Sequence, residues 1–215
     1  MKYKHVIWDW NGTVVDDVAL SVDVLNEILK FKNLPAISVE NYKETFSFPV
    51  THFYESLGIK FEPEEAERVG ERFIAHYNAR RFDYPVHGGV VDLMKNIESR
   101  GVPQSILSAY QKNYLDEAAA HYGVDKFMTH VAGLDNIHAE TKIELGKKLV
   151  AELALEPSSI LIIGDTDHDF AVAQATGVDA FLFSGGHQSA ERLRKTGAEV
   201  FGDYKKLSDA LFNNG

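Results

Sequence analysis

The first part of the chain has its apolar residues at the spacing of amphipathic helices. The first such stretch begins after Thr13 and ends near residues 33–35, where Asn and Pro break the pattern; its apolar positions are Val18, Val22, Leu25, Ile28 and Leu29. Residues 39–82 add further helical signal without a convincing strand, and at residues 63–68 a Pro is followed by acidic residues, as is typical of a helix N-terminus. The pattern predicts an all-helical segment over residues 17–83.

Short apolar runs that alternate with amphipathic stretches fill the rest of the chain. A first run covers residues 6–8, and after Pro85 we predict strands at 103–108, 127–131, 159–164, 179–183 and 199–201, separated by helices at 88–100, 112–122, 143–153, 191–195 and 204–211. Such alternation is typical of a parallel sheet covered by helices. We therefore predict an α/β fold, with a Rossmann-like parallel-sheet core of residues 1–16 and 84–215 and an inserted all-helical cap of residues 17–83.

Residues capable of chemistry follow three of the predicted strands. Asp9, Ser108 and Asp165 each come directly after an apolar run, Asp169 lies four residues beyond Asp165, and Lys142 opens a predicted helix. Taken singly, each has an ordinary explanation as a turn residue, a helix-terminal charge or a solvated side chain. Because right-handed crossovers bring the carboxyl ends of parallel strands to one edge of the sheet, we expect these residues to meet in one pocket.

The residue types at this edge indicate phosphate chemistry. Two or three crowded carboxylates repel one another, and a hard divalent cation with oxygen ligands, best Mg²⁺, relieves that repulsion. The cation, Lys142, the Ser108 hydroxyl and backbone N–H groups could together hold the oxygens of a phosphate monoester. Asp9 is then the candidate nucleophile.

Composition excludes several other classes of function. The chain has 215 residues, of which 45% are hydrophobic, enough for a sizeable core. Its formal net charge of -10 argues against nucleic acid as a partner. It has no cysteine, so disulfides and thiolate metal sites are excluded. We find no signal-peptide or membrane-span pattern and expect a cytoplasmic protein without a membrane partner.

Four motifs together resemble those of the haloacid dehalogenase-like hydrolase superfamily. Residues 9–16 (DWNGTVVD) resemble its first motif, Ser108 its second, Lys142 its third and residues 164–169 (GDTDHD) its fourth. Nearly the whole chain is similar to the phosphoglycolate phosphatase-like members, which have a helical cap. The resemblance implies a Mg²⁺-dependent phosphatase that acts on a small phosphorylated metabolite.

The resemblance also implies roles for individual residues. Asp9 would form an aspartyl-phosphate, a covalent route that divides one difficult displacement into two transfers. Mg²⁺ would be held by Asp9, the backbone carbonyl of Asn11 and Asp165, with Asp169 supporting directly or through water. The substrate phosphate would be held by Gly12, Thr13, Ser108, Ala109 and Lys142.

One position departs from the family pattern. Most phosphatases of the family carry a second Asp two residues after the nucleophile, which protonates the leaving group and then activates water; this chain has Asn11. An amide cannot transfer a proton, and general acid–base catalysis typically contributes ~10²–10⁴ in rate. We therefore expect slow hydrolysis of alkyl phosphates and a preference for good leaving groups, unless His187, His168 or a cap residue substitutes.

Three other functions stay open at this point. A phosphonatase-like C–P hydrolase shares the Asp-Trp-x-Gly-Thr segment but by resemblance needs a cap lysine, for which Lys30, Lys32 and Lys43 are available. A haloacid dehalogenase would need no metal, and Asn11 could also mark a non-catalytic protein that binds a phosphorylated ligand. The aromatic loop at residues 46–53 either faces the substrate or packs between helices. Hinges for the cap are expected near residues 16–17 and 82–84.

Overall fold

A six-stranded parallel sheet forms the centre of the computed structural model, which describes residues 2–60, 63–135 and 141–213. Its strand order is β3-β2-β1-β4-β5-β6, with β1 first in the chain but central in the sheet. The strands are β1 (His5–Trp8), β2 (Gln104–Gln111), β3 (Met128–Leu134), β4 (Ile160–Gly164), β5 (Asp179–Phe183) and β6 (Glu199–Phe201). β1 and β4 are neighbours, so the residues that follow them lie side by side.

Helices cover both faces of this sheet. They are α5 (Val90–Glu98), α6 (Lys112–His121), α7 (Lys142–Leu153), α8 (Asp167–Thr176), α9 (Ala190–Arg194) and α10 (Tyr204–Asn213). Successive side chains of a strand point to opposite faces. Trp8 accordingly packs in a core cluster with α5, α6 and α10, and Ile7 packs in a second cluster with α7 and α8.

Four helices lie in the chain between β1 and α5. They are α1 (Val18–Phe31), α2 (Val39–Thr45), α3 (Val50–Ser56) and α4 (Pro63–Arg80). They bury an apolar cluster of their own, which includes Leu25, Phe53 and Tyr77. The predicted fold class, a Rossmann-like parallel sheet with an inserted all-helical segment, is confirmed.

Strand β2 differs from its predicted course. It was expected to end at Ser108, but its pairing with β3 is interrupted after Leu107 and resumes at Gln111. At the interruption the Ser108 hydroxyl accepts a hydrogen bond from the backbone N–H of Tyr110 (3.1 Å), which stabilises a local turn. Ser108 therefore lies at a break within the strand rather than at its end.

No helix among the described residues is both long enough and apolar enough to span a lipid bilayer.

Candidate active site

Three buried carboxylates meet at the edge of the sheet. Asp9 follows β1, Asp165 follows β4, and Asp169 lies in the first turn of α8. One carboxylate oxygen from each lies within 4.8 Å of the others. Their exposed fractions are 7%, 1% and 1%, so bulk water screens their mutual repulsion only weakly.

The sequence Thr166-Asp-His-Asp169 fixes the third carboxylate through a helix cap. Thr166 is the N-cap of α8, and its side chain and that of Asp169 form reciprocal capping hydrogen bonds. Asp169 Oδ2 accepts bonds from the Thr166 hydroxyl (2.7 Å), the Thr166 N–H (3.0 Å) and the Asp165 N–H (3.2 Å). Its other oxygen accepts from Lys142 Nζ (2.5 Å). Both oxygens of Asp169 thus already have protein donors.

Lys142 is the cation of the cluster. It is the first residue of α7, whose N-cap Thr141 forms a capping box with Glu144, and its Nζ contacts the carboxylates of Asp9 and Asp169. Burial alone would lower the pKa of Lys142, but these two carboxylates raise it above its ordinary value. The side chain therefore stays charged.

One ammonium does not neutralise three carboxylates. Burial raises the pKa of Asp9 to about 6, against the opposing effect of Lys142. Burial, together with Asp9 and Asp169, also raises the pKa of Asp165 well above its ordinary value. Only at Asp169 do Lys142 and the Thr166 hydrogen bonds outweigh burial and lower the pKa. Buried oxygen ligands with excess negative charge suit a hard divalent cation such as Mg²⁺.

The turn after β1 brings backbone close to these carboxylates. Gly12 has φ +73°, and a Cβ at this position would lie 2.2 Å from Asp165 Oδ2. Thr13 Oγ1 bonds to Asp9 Oδ2 (3.2 Å) and Asp165 Oδ1 (3.1 Å) and so links two of the acids. The backbone hydrogen bonds of the turn use the carbonyls of Trp10 and Val15, and none of them uses the Asn11 carbonyl.

The Asn11 side chain lies in a polar network with Asp17 and Tyr77. Its amide Nδ2 donates to Asp17 Oδ2 (2.8 Å) and to the Tyr77 hydroxyl (2.7 Å), which itself donates to Asp17 Oδ2 (2.7 Å). Asp17 occupies the N-cap position of α1 but does not cap it. Instead its Oδ1 accepts from the Gly12 N–H (2.7 Å).

His187 completes this network. Its ring atom Nε2 lies 3.3 Å from Asp17 Oδ1, and its ring atom Nδ1 lies 2.9 Å from the Tyr42 hydroxyl. The backbone N–H of His187 donates to Asp165 Oδ2 (2.5 Å). Burial favours the neutral ring, but Asp17 overcomes it and raises the pKa of His187 to about 9. Burial likewise opposes ionisation of Asp17, yet His187, Tyr77 and Asn11 lower its pKa. The two form a buried ion pair.

A cavity of about 750 Å³ lies between the inserted helices and the carboxylate edge. Asp9, Asn11, Ser108, Ala109 and Lys142 line it, as do Asp165 and Asp169. Gly12 and Thr13 are buried beside it and contact Asp165 instead. The residues predicted for catalysis, phosphate binding and metal binding are therefore close together in space, while their roles stay predictions.

Sequence reasoning gave no role at the site to Tyr42 and Tyr77, and treated Asp17 only as part of a hinge. The tyrosines were missed because aromatic residues at helical spacing look like ordinary core positions. Asp17 was missed because an acid before a helix looks like an N-cap. The aromatic loop packs within the helical segment, where Phe46 stacks on Tyr42, and it also lines the cavity; that it faces the substrate stays a prediction.

Comparison with known proteins assigns the chain to a family. Residues 6–183 match the family model of haloacid dehalogenase-like hydrolases. A phosphoglycolate phosphatase of Rhodospirillum rubrum is 26% identical over 97% of this chain and 90% of its own length. The tyrosine-protein kinase PtkA of Mycobacterium tuberculosis is 22% identical over 91% of this chain and 67% of its own length.

Solved structures agree in fold. A predicted phosphatase from Clostridium acetobutylicum superposes with a TM-score of 0.85 at 17% identity, covering 98% of this chain and 99% of its own. The PtkA structure from Mycobacterium tuberculosis has a TM-score of 0.81 at 21% identity, with 98% coverage of both chains. With the family match over residues 6–183, these findings confirm the resemblance seen in the four motifs: the chain belongs to the haloacid dehalogenase-like hydrolase family, and phosphatases are among its relatives.

Proposed function

We propose that this protein is a Mg²⁺-dependent phosphohydrolase that acts on a small phosphorylated metabolite through an aspartyl-phosphate on Asp9. The observation that carries the proposal is the buried cluster of Asp9, Asp165, Asp169 and Lys142 at the wall of the cavity. Family membership makes phosphoryl chemistry the natural use of such a cluster, and the phosphoglycolate phosphatase relative supports it.

The residues present fit a magnesium ion. Asp9, Asp165 and the backbone carbonyl of Asn11 would hold it, since that carbonyl is not used by the hydrogen bonds of its turn. Asp169, one of whose carboxylate oxygens lies within 4.8 Å of the other two acids, would support the ion directly or through water. When bound, the ion would supply positive charge against the phosphoryl oxygens and neutralise the acids.

The phosphate group would lie between Asp9 and the break in β2. Lys142 and the Ser108 hydroxyl both line the cavity and can bind phosphoryl oxygens, together with backbone N–H groups near Gly12, Thr13 and Ala109. An Asp9 oxygen attacks phosphorus, and the bond to the leaving oxygen breaks with its electron pair. Water then attacks the phosphoryl group, which releases inorganic phosphate and restores the Asp9 carboxylate.

We further propose that residues 17–83 act as a mobile cap with hinges near residues 16–17 and 82–84. In the structure this segment contacts the core next to the site: Lys43 Nζ donates to the Ser184 carbonyl (2.9 Å) and Gln188 Nε2 to the Phe46 carbonyl (3.1 Å). Closure would exclude water from the first transfer, and opening would admit substrate.

A second candidate function follows from Asn11. With no carboxylate at this position to activate water, a phosphorylated Asp9 could instead pass its phosphoryl group to a better nucleophile. The PtkA relative supports this candidate, because its name, tyrosine-protein kinase, describes phosphoryl transfer to a tyrosine. A phosphonatase gains no such support: Lys142 is the single lysine that lines the cavity among the described residues, and it contacts two carboxylates.

The proposal is tested by phosphate release from 4-nitrophenyl phosphate with and without Mg²⁺. We expect activity that is lost with EDTA, is restored by Mg²⁺, and is absent in Asp9→Asn. The control Asp92→Asn removes an exposed carboxylate on α5 and should keep full activity. Release that persists in EDTA or in Asp9→Asn would refute the proposal. Phosphate transfer to an added phenol without release to water would instead support the second candidate.

A further inference from the structure

The wall of the cavity away from the carboxylates is aromatic and apolar. The inserted helices and the loop between α2 and α3 supply this wall through Phe46, Phe48, Phe53, Tyr54, Phe73 and Leu25. Phe46 and Phe53 pack edge to face with ring centroids 5.3 Å apart. Such a wall binds a flat apolar group by area burial and ring contacts.

The described part of this wall has no lysine or arginine that is free to pair with a substrate. Among the described residues that line the cavity, Lys142 is the only lysine and there is no arginine. The residues outside the described part of the chain contain neither lysine nor arginine. Lys142 is held by Asp9 and Asp169, and His187 is paired with Asp17. A second negative group on a substrate would therefore be buried without a partner, which strongly disfavours binding.

The leaving group also has to depart without a proton donor at position 11. Both amide hydrogens of Asn11 are donated to Asp17 and Tyr77. A phenol ionises with a pKa of about 10, whereas an aliphatic alcohol is about as weak an acid as water, with a pKa far above that of a phenol. An aryl oxide can leave as the anion, while an alkoxide needs general-acid help.

From these two independent observations, the cavity wall and Asn11, we infer that the substrate is an aryl phosphate: a phosphate monoester with an uncharged aromatic leaving group. This inference rests on the proposed phosphohydrolase function and narrows it. It also separates this chain from its phosphoglycolate phosphatase relatives, because phosphoglycolate carries a carboxylate beside the ester. The bond broken is that between phosphorus and the aryl oxygen; the aryl oxide takes its proton from solvent, and water supplies the oxygen of the released phosphate.

Four esters test separately the two proposed requirements, an uncharged leaving group and a leaving group that departs without a proton. Phenyl phosphate is compared with 4-carboxyphenyl phosphate, which adds a charge to an aryl leaving group, and with cyclohexyl phosphate, which has similar size but a poor leaving group. 2-Phosphoglycolate combines both unfavourable features. We expect kcat/KM for phenyl phosphate to exceed that for the carboxylated ester at least about tenfold and that for cyclohexyl phosphate by about 10²-fold or more.

A designed cation gives a second, gain-of-function test. Val50 begins α3, lines the cavity and is 37% exposed, so a longer side chain has room there. Val50→Lys should raise kcat/KM for 4-carboxyphenyl phosphate relative to phenyl phosphate by about tenfold. The neutral control Val50→Met should leave that ratio unchanged, which separates charge from side-chain length.

The possible outcomes test the aryl phosphate assignment separately from the proposed phosphohydrolase function. If 2-phosphoglycolate or the carboxylated ester is turned over as fast as phenyl phosphate with Mg²⁺, the aryl assignment is overturned while the phosphohydrolase function stands. If no ester, including 4-nitrophenyl phosphate, releases phosphate, both are overturned. A preference for phenyl phosphate that Val50→Lys shifts toward the carboxylated ester supports the assignment.

Discussion

At the scale of single residues, the site divides into positions that the sequence reveals and positions that only packing creates. Asp9, Asp165 and Lys142 were predictable because each follows a strand or opens a helix, and strand order then brings them together. Asp17 and Tyr77 were not, because their contacts depend on how α1 and α4 lie against the turn after β1. Local pattern contains no information about such a tertiary hydrogen bond.

The network around Asn11 yields a prediction about the missing acid. Asn11→Asp would place two carboxylates about one hydrogen bond apart, and such a pair shares a proton and can act as an acid. We expect hydrolysis of cyclohexyl phosphate to rise by about 10²-fold, with a much smaller change for phenyl phosphate. Steady-state kinetics on both esters measures the effect.

The same substitution should cost stability, which supplies its control. The carboxylate introduced at position 11 repels that of Asp17, and a loss of about 1 kcal/mol lowers Tm by roughly 2–4 °C in a chain of this size. Lowering the pH until the two carboxylates share a proton should make this loss smaller, which identifies charge repulsion as its cause. If Asn11→Asp left both hydrolysis rates unchanged, the role assigned to position 11 would be wrong.

At the scale of elements, the periodic patterns placed every strand within a few residues but described the short helices poorly. β5 and β6 have the predicted bounds, whereas α2 and α3, seven residues each, were not separated within the helical signal. The break in β2 between Leu107 and Gln111 was also missed, because a register shift depends on the partner strand β3.

The contact of α4 with the core predicts how the cap closes. The Tyr77 hydroxyl is the point at which α4 bonds to both Asp17 and Asn11, and a hydrogen bond to a charged group is worth about 1.5–3 kcal/mol. In Tyr77→Phe we expect the closed form to be less populated and kcat/KM to fall at least about tenfold. The ring itself, which packs beside Phe73, is kept.

Two measurements separate closure from general damage in Tyr77→Phe. Hydrogen exchange should increase in the amides near residues 16–17 and 82–84, where the hinges are proposed, and Tm should fall by no more than the roughly 3–12 °C that loss of this bond implies. The control Tyr114→Phe removes a hydroxyl from α6, away from the cavity lining, and should leave kinetics and exchange unchanged. Unaltered kcat/KM in Tyr77→Phe would mean that this bond does not hold the cap.

At the scale of the whole molecule, the fold class was predictable because the spacing of apolar residues differs between the strands of a parallel sheet and the helices of the inserted segment. The cavity between them was not, since its aromatic wall comes from side chains of several helices that periodicity assigns equally well to a core. The fold as a whole places three buried carboxylates, those of Asp9, Asp165 and Asp169, close to the buried ammonium of Lys142. If this cluster serves the proposed metal, function there conflicts with stability, because like charges are kept close together.

That conflict gives a prediction for Asp165→Asn. In EDTA the variant should be more stable than the parent protein, because one buried like charge is gone while the amide can still accept from the His187 N–H and donate to Thr13. Mg²⁺ at 100 times its Kd should stabilise the parent by about 2.7 kcal/mol, or roughly 5–10 °C in Tm, and should leave the variant almost unchanged. Calorimetry with and without Mg²⁺ measures both effects, and Asp92→Asn, which removes an exposed charge, should behave as the parent. A variant less stable in EDTA, or one still stabilised by Mg²⁺, would show that Asp165 is held in place for structure rather than for a metal.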